Sequence, residues 1–400
     1  MVFDFDQPIE REGTHSVKFD GRAQYFGTTD LIPMWVADMD FAVPPCVAQA
    51  LVARAEHPVF GYTFYPDSLY QALINWFKRR HHWHIEREWI VMTPGVVPSL
   101  HACCLAFAEA GEGVIVQPPV YFPFFSAATQ TERELILNPL QLINDRYEIN
   151  FSQLEEQARH AKIIMLCTPH NPVGRVWTKA ELCDLLTIAK RHNLIVVSDD
   201  IHADLVYPDF THTMIGTLHA EFGEFIATNV VTAVAPSKTF NIPGLGLSAL
   251  IVPNPQHRNA LAKAFERLHV GNYNPFSIAA FEAAYNDGEP WLDALLSYLQ
   301  QNKTNARHFI AEHIPQIHCV DPEGTYLLWL DCSRLKLSDQ ELREFFIRDC
   351  KVGMNPGVVF GAEGSGFMRM NIGTRWDNLH GALRRISEAI AKLPSSYRTV

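Results

Sequence analysis

Short, uninterrupted apolar runs, most of them β-branched, constrain this chain more than any other feature: Val114–Val116, Ile163–Leu166, Leu194–Val197, Val230–Val234 and Ala249–Val252. Runs of this length without polar alternation are too brief for helices and read as strands covered on both faces. Amphipathic stretches lie between them. The clearest opens at Thr178-Lys179-Ala180-Glu181, a capping-box pattern, and carries apolar residues at helical spacing through His192. Strand, helix and strand in that order make a βαβ unit. The fold expected is therefore α/β, with a mostly parallel sheet between helices.

After about residue 285 the texture changes. A long helical pattern runs from Trp291 to Ile314, followed by an apolar run Thr325–Leu330, a helix over Asp339–Cys350 and a strand over Met368–Ile372. This mixture predicts a smaller α+β domain. The expected organisation is an arm over 1–45, ending Val43-Pro44-Pro45 and packing with the small domain, a large domain over 46–285 and a small domain over 286–400.

Charge and composition narrow the partners. The formal net charge is −11, and no basic cluster is denser than Lys78-Arg79-Arg80, which argues against nucleic acid. Acids stand where a signal peptide needs bases (Asp4, Asp6), and no apolar run reaches bilayer length, so a soluble cytoplasmic protein is expected, with no membrane partner. Eight dilute cysteines without a C-x-x-C pair read as free thiols. His81-His82-Trp83-His84 lacks a cysteine or carboxylate at zinc spacing and reads as a solvated helix end, so no metal is expected. Hydrolase, zinc-protease and P-loop signatures are missing, and Gly244-Leu245-Gly246 lacks the third glycine of a dinucleotide site. A small molecule is left as the ligand.

Chemistry-bearing residues follow the strands, where open parallel sheets place ligands. Tyr121 follows the first run, Thr168-Pro169-His170-Asn171-Pro172 the second, Ser198-Asp199-Asp200-Ile201-His202 the third and Pro236-Ser237-Lys238 the fourth. Each has an ordinary reading by itself: Asn-Pro as a turn, the aspartates as helix caps, the lysine as solvated, the tyrosine as packing. Together they are the set that pyridoxal phosphate chemistry requires. A lysine amine captures the aldehyde, a carboxylate keeps the pyridine nitrogen protonated, an amide serves the phenolate oxygen and a tyrosine stacks on the ring. Thr93-Pro94-Gly95-Val96-Val97-Pro98-Ser99 leads into a helix whose N-terminus suits a phosphate.

The ordered motifs Thr93-Pro94-Gly95-Val96-Val97, Pro118-Pro119-Val120-Tyr121, Pro169–Gly174, Ser198–Asp204 and Pro236–Asn241 resemble the fold-type I pyridoxal-phosphate enzymes of the class I/II aminotransferase superfamily. Pro33–Phe41 and Phe60-Gly61-Tyr62 resemble its carbon–sulfur lyase branch of cystathionine β-lyases. The resemblance runs from about Phe5 to Lys392. It implies that Lys238 holds the cofactor, Asp199 pairs with the ring nitrogen, Asn171 meets the phenolate oxygen and Tyr121 stacks. It further implies that Gly95, Val96, Val97 and Ser237 hold phosphate, joined by Tyr62 from the second subunit of a homodimer.

His202 stands near the phenolate, where relatives carry tyrosine. Gly246 occupies the position of a phosphate-binding arginine in many aminotransferases, which leaves phosphate to neutral donors, the partner chain or another cation. Arg369 is expected to take the substrate α-carboxylate and Arg375 is a weaker candidate, while Trp35, Ala37 and Asp38 are expected to line the substrate entrance. The activity implied is β-elimination from L-cystathionine or a related sulfur amino acid. An aminotransferase is the alternative and a non-catalytic regulatory protein a minor one.

Overall fold

The apolar runs assemble into one seven-stranded sheet in the computed structural model, which describes residues 3–267, 269–271 and 274–394. Its strands are β1 Ile90–Thr93, β2 Gly113–Val116, β3 Glu134–Leu137, β4 Ala161–Cys167, β5 Ile195–Asp199, β6 Val230–Val234 and β7 Ser248–Ile251. They lie in the order β1-β7-β6-β5-β4-β2-β3. Pairings among β2 to β6 are parallel, and β7 runs against both its neighbours. Every residue of β2, β5 and β6 is buried, which explains why these strands carry no polar alternation. Each Val or Ile buried there contributes about 1.5 to 3 kcal/mol.

Two strands of this sheet were not among those expected from the sequence. Both carry short apolar runs, Ile90–Met92 and Leu135–Leu137, but β3 is a half-exposed edge strand and two of the four residues of β1 are only partly buried.

Helices cover both faces. Helix α1, Asp67–His81, buries Leu69, Leu73, Trp76 and Phe77, a single stripe at helical spacing. Helix α2, Val96–Phe107, follows β1 directly. Helix α3, Lys179–Arg191, starts with the expected capping box: Thr178 Oγ1 accepts from the Glu181 amide at 3.2 Å, and the Glu181 carboxylate accepts from the Thr178 amide at 2.8 Å. The end of α1 corrects an expectation. His81 is not solvated; its Nε2 lies 2.7 Å from the carboxylate of buried Asp204, because the helix end turns onto the core.

The C-terminal part holds an antiparallel sheet of β8 His318–Val320, β9 Leu327–Asp331, β10 Asn355–Pro356 and β11 Phe367–Asn371, in the order β8-β9-β11-β10. The N-terminal arm joins it through Ile32–Pro33, which pairs in parallel with Val352–Gly353. One apolar cluster runs through the arm (Phe5, Phe41), α1 (Trp76), the lysine loop (Phe240) and β9 (Leu327). The two sheets are also tied by Glu323, whose carboxylate accepts from Arg175 Nε at 3.0 Å, Arg146 Nε at 2.9 Å and the Val176 amide at 2.8 Å. Among the described residues no helix is long and apolar enough to cross a membrane.

Candidate active site

Strand register decides which side chains meet. Cys167, Asp199 and Ala233 stand side by side across β4, β5 and β6, so the three strands end level with one another. The segments that leave them carry Asn171, Asp199 and Lys238 into one crevice, a cavity of about 310 Å³. Gly95, Val96, Val97, Tyr121, His202 and Ser237 line the same cavity. The Tyr121 amide donates to the Asn171 carbonyl at 3.0 Å, which fixes the ring's loop against the amide's loop.

The two adjacent aspartates separate by their partners. Asp200 is saturated, accepting from Ser198 Oγ at 2.5 Å and lying 2.7 Å from His212 Nε2. Asp199 accepts from the Ile201 amide at 3.1 Å and otherwise faces the cavity. Burial, with a smaller contribution from Asp200, pushes the Asp199 carboxyl up to about 7, while the amide of Ile201 opposes the rise. Lys238 opposes the rise through its charge but makes no ion pair with this buried carboxyl.

Lys238 is its counterpart. Burial first, then the charge of Arg369, brings its amine down from 10.5 to about 8. Nζ donates to the Ala37 carbonyl at 2.6 Å, and Tyr326 Oη donates to the same oxygen at 2.9 Å. His202 is buried and held neutral, down to about 3, with Nδ1 unpartnered within the protein.

Arg369 stands on β11, opposite Trp329 and Asn355. Nη1 donates to Asn171 Oδ1 at 3.0 Å, and Nη2 to the Trp35 carbonyl and Asn355 Oδ1, both at 2.8 Å. All these acceptors are neutral, Nε has none, and burial lowers the guanidinium to about 10. A buried cation without an anion is a seat for a carboxylate. Arg369, Trp35 and Ala37 line a second cavity of about 550 Å³ that shares Ala37, Tyr121 and Lys238 with the first.

Three expected residues stand elsewhere. Asp38 does not line either of these cavities: Arg11 takes its carboxylate at 2.7 and 3.1 Å and turns it toward the arm. Arg375 precedes the helix Trp376–Ile390, and its Nη1 reaches the Asp6 carbonyl at 3.4 Å. Tyr62 is fully exposed and away from its own chain's cavity.

Other residues arrive without having been anticipated. Ser248 lines the cavity beside Gly246, because antiparallel pairing sets it opposite Thr93. Their hydroxyls lie 2.6 Å apart, and Ser99 Oγ donates to Thr93 Oγ1 at 2.8 Å. This chain of hydroxyls lies beneath the N-terminus of α2, which has no side-chain cap. Gly246 has φ +49, a left-handed conformation that disfavours an arginine.

An uncapped helix N-terminus, an unmatched carboxylate and an amine near neutrality within 310 Å³ fit a phosphorylated pyridine aldehyde. The family model for aminotransferase class I and II matches residues 29–386.

The chain belongs to that family.

Its relatives include cystathionine beta-lyase PatB of Bacillus subtilis (strain 168), 40% identical and aligned over 97% of this chain and 100% of the relative. Protein MalY of Escherichia coli (strain K12) is 34% identical, with coverage of 97% and 99%. Among solved structures, cystalysin from Treponema denticola, described as containing a pyridoxal 5'-phosphate cofactor, superposes with a TM-score of 0.94 at 33% identity, covering 98% of this chain and 100% of that one. A PLP-bound putative aminotransferase from Clostridium difficile 630 gives 0.94 at 40% identity, covering 97% and 100%. Family membership therefore agrees with the donor set: a pyridoxal-phosphate fold of α/β class with a large mixed, mostly parallel sheet.

Proposed function

We propose that the chain is a pyridoxal-phosphate-dependent carbon–sulfur lyase that eliminates the Cβ thiolate of L-cystathionine or a related sulfur amino acid, yielding a thiol, pyruvate and ammonia. The observation that carries this reading is a trio of buried groups without ion-pair partners among the described residues, in connected cavities: the Asp199 carboxyl, the Lys238 amine with its lowered pKa and the Arg369 guanidinium. The full-length likeness to PatB supports the choice of elimination.

When bound, pyridoxal phosphate supplies an aldehyde for an amine and a ring that withdraws electrons from the substrate Cα. Asp199 would hold the proton on the ring nitrogen, Asn171 and His202 would stand toward the phenolate oxygen, and Tyr121 would lie against the ring. Gly95, Val96, Val97 and Ser237 would hold the phosphate with neutral donors. Apart from Lys238, no described residue lining this cavity is a lysine or arginine. Arg369 receives the α-carboxylate as a two-pronged fork and so fixes which Cα bond faces Lys238. Lys238 Nζ, with its pKa brought down to about 8 so that roughly a tenth is neutral at pH 7, takes the Cα proton.

Tyr62 belongs, in this proposal, to the active site of a second copy. It stands exposed in a run with Val59, Phe60 and Phe64, an apolar surface unusual for a free monomer. Light scattering should give a dimer, and Tyr62→Ala should weaken cofactor binding without altering the monomer fold. The eight cysteines, all free thiols, suit a reducing cytoplasm.

The deciding experiment is pyruvate release from L-cystathionine by the purified holoenzyme without any added keto acid. Strict dependence on a keto acid would instead identify an aminotransferase.

A further inference from the structure

The 550 Å³ cavity extends past the groups that the reaction needs. Its outer wall comes from the arm and from the helix Asp339–Arg348: Val17, Tyr25, Phe26 and Arg343. The wall is aromatic and firm, since the rings of Tyr25 and Phe26 pack on Trp35 at 4.3 and 5.3 Å. Arg343 Nη2 donates to the Tyr25 carbonyl at 2.7 Å, which anchors the guanidinium along one edge. Among the described residues no carboxylate pairs with it.

The charge inventory is one-sided. Among the described residues the lining holds the cations Lys238, Arg369 and Arg343 and no Asp or Glu, and Asp38 is held toward Arg11. Resting on the lyase reading, the substrate's α-carboxylate occupies Arg369, and Arg343 is left for a second anion. An ammonium group in the same space would meet three cations and, for acceptors, neutral groups such as Asn355 and Tyr121, with no carboxylate among the described residues.

We infer that Arg343 is a specificity-determining residue that receives a carboxylate at the far end of the sulfur substituent, and that the preferred thioethers carry this carboxylate on an apolar stem. The distal amine of cystathionine is not read. An exposed, charge-assisted contact of this kind corresponds to about three- to fivefold in binding.

The test compares three thioethers on the holoenzyme: L-cystathionine, S-(3-carboxypropyl)-L-cysteine, which lacks only the distal amine, and S-butyl-L-cysteine, which lacks both polar groups. The carboxypropyl compound should have a KM equal to or below that of cystathionine and about three- to fivefold below that of the butyl compound. In Arg343→Gln the gap between carboxypropyl and butyl substrates should close to less than twofold, and Arg343→Lys should retain part of it. An undiminished gap in Arg343→Gln, or cystathionine at a clearly lower KM than its deamino analogue, overturns the inference. A parallel absorbance titration of the cofactor separates the two levels. If none of the three yields pyruvate but the binding order and its dependence on Arg343 persist, the lyase reading fails and the Arg343 assignment stands. If the order is missing from the titration, the assignment falls.

Discussion

Arg369 Nη1 donates to Asn171 Oδ1 at 3.0 Å, and this one bond joins the small antiparallel sheet to the loop after β4. Because Oδ1 is occupied as an acceptor, the Asn171 amide is oriented with Nδ2 left as a donor for the cavity. The residue proposed to meet the cofactor's phenolate thus also braces the residue proposed to meet the substrate.

Asn171→Leu should therefore damage two properties together. Removing a buried acceptor from a guanidinium costs about 1.5 to 3 kcal/mol, equivalent to about 10- to 100-fold. Both the Kd for pyridoxal phosphate and the KM for substrate should rise. Arg369→Met, by contrast, should raise KM while leaving cofactor retention nearly intact. Equal damage to both properties in Arg369→Met would argue against the division of labour.

Capture of the aldehyde should follow the ionisation of Lys238. With its amine brought from 10.5 down to about 8, the neutral nucleophile is roughly 300-fold more abundant at pH 7 than in a solvated lysine. The rate at which apoprotein takes up pyridoxal phosphate should rise with pH and level off above about 8, read as growth of visible absorbance. A rise continuing to pH 10 would contradict the assignment. Lys238→Ala should show no such absorbance and no turnover.

Asp199 should weaken the apoprotein. Its folded-state value, about 7, lies above the ordinary 3.8, so burial of the charge reduces stability increasingly as pH rises from 4 to 7 and fully above 7. Asp199→Asn relieves on the order of 2 to 4 kcal/mol at pH 8. Its apoprotein should melt higher than wild type at pH 8, with the difference narrowing toward pH 4, while elimination activity is lost. Calorimetry at the two pH values checks the sign.

Glu323→Gln should loosen the junction between the sheets. The carboxylate accepts from two arginines and a backbone amide, and losing its charge leaves buried Arg175 with Glu181 as its one remaining anionic partner among the described residues. A cost of about 2 to 3 kcal/mol is expected. The urea midpoint should fall, and the proximity of Asn171 to Arg175 should make KM rise as well.

The positions of Lys238, Asp199, Asn171, Tyr121 and Arg369 in the chain were legible because each follows or occupies an apolar run whose periodicity is a local property. The helix at Lys179 was equally legible, since a capping box spans only four residues. Tertiary structure alone decided the remaining points. Which of two neighbouring aspartates stays unpaired depends on His212, which the fold brings to Asp200 and not to Asp199. Asp38 leaves the cavity because Arg11, distant by 27 residues, reaches it first. Ser248 meets Thr93 through antiparallel pairing across 155 residues, and Arg343 lines the larger cavity because the arm lies against its helix. Charge pairing and cavity lining depend on distance in space, whereas the patterns visible in a sequence reach only a few residues along the chain.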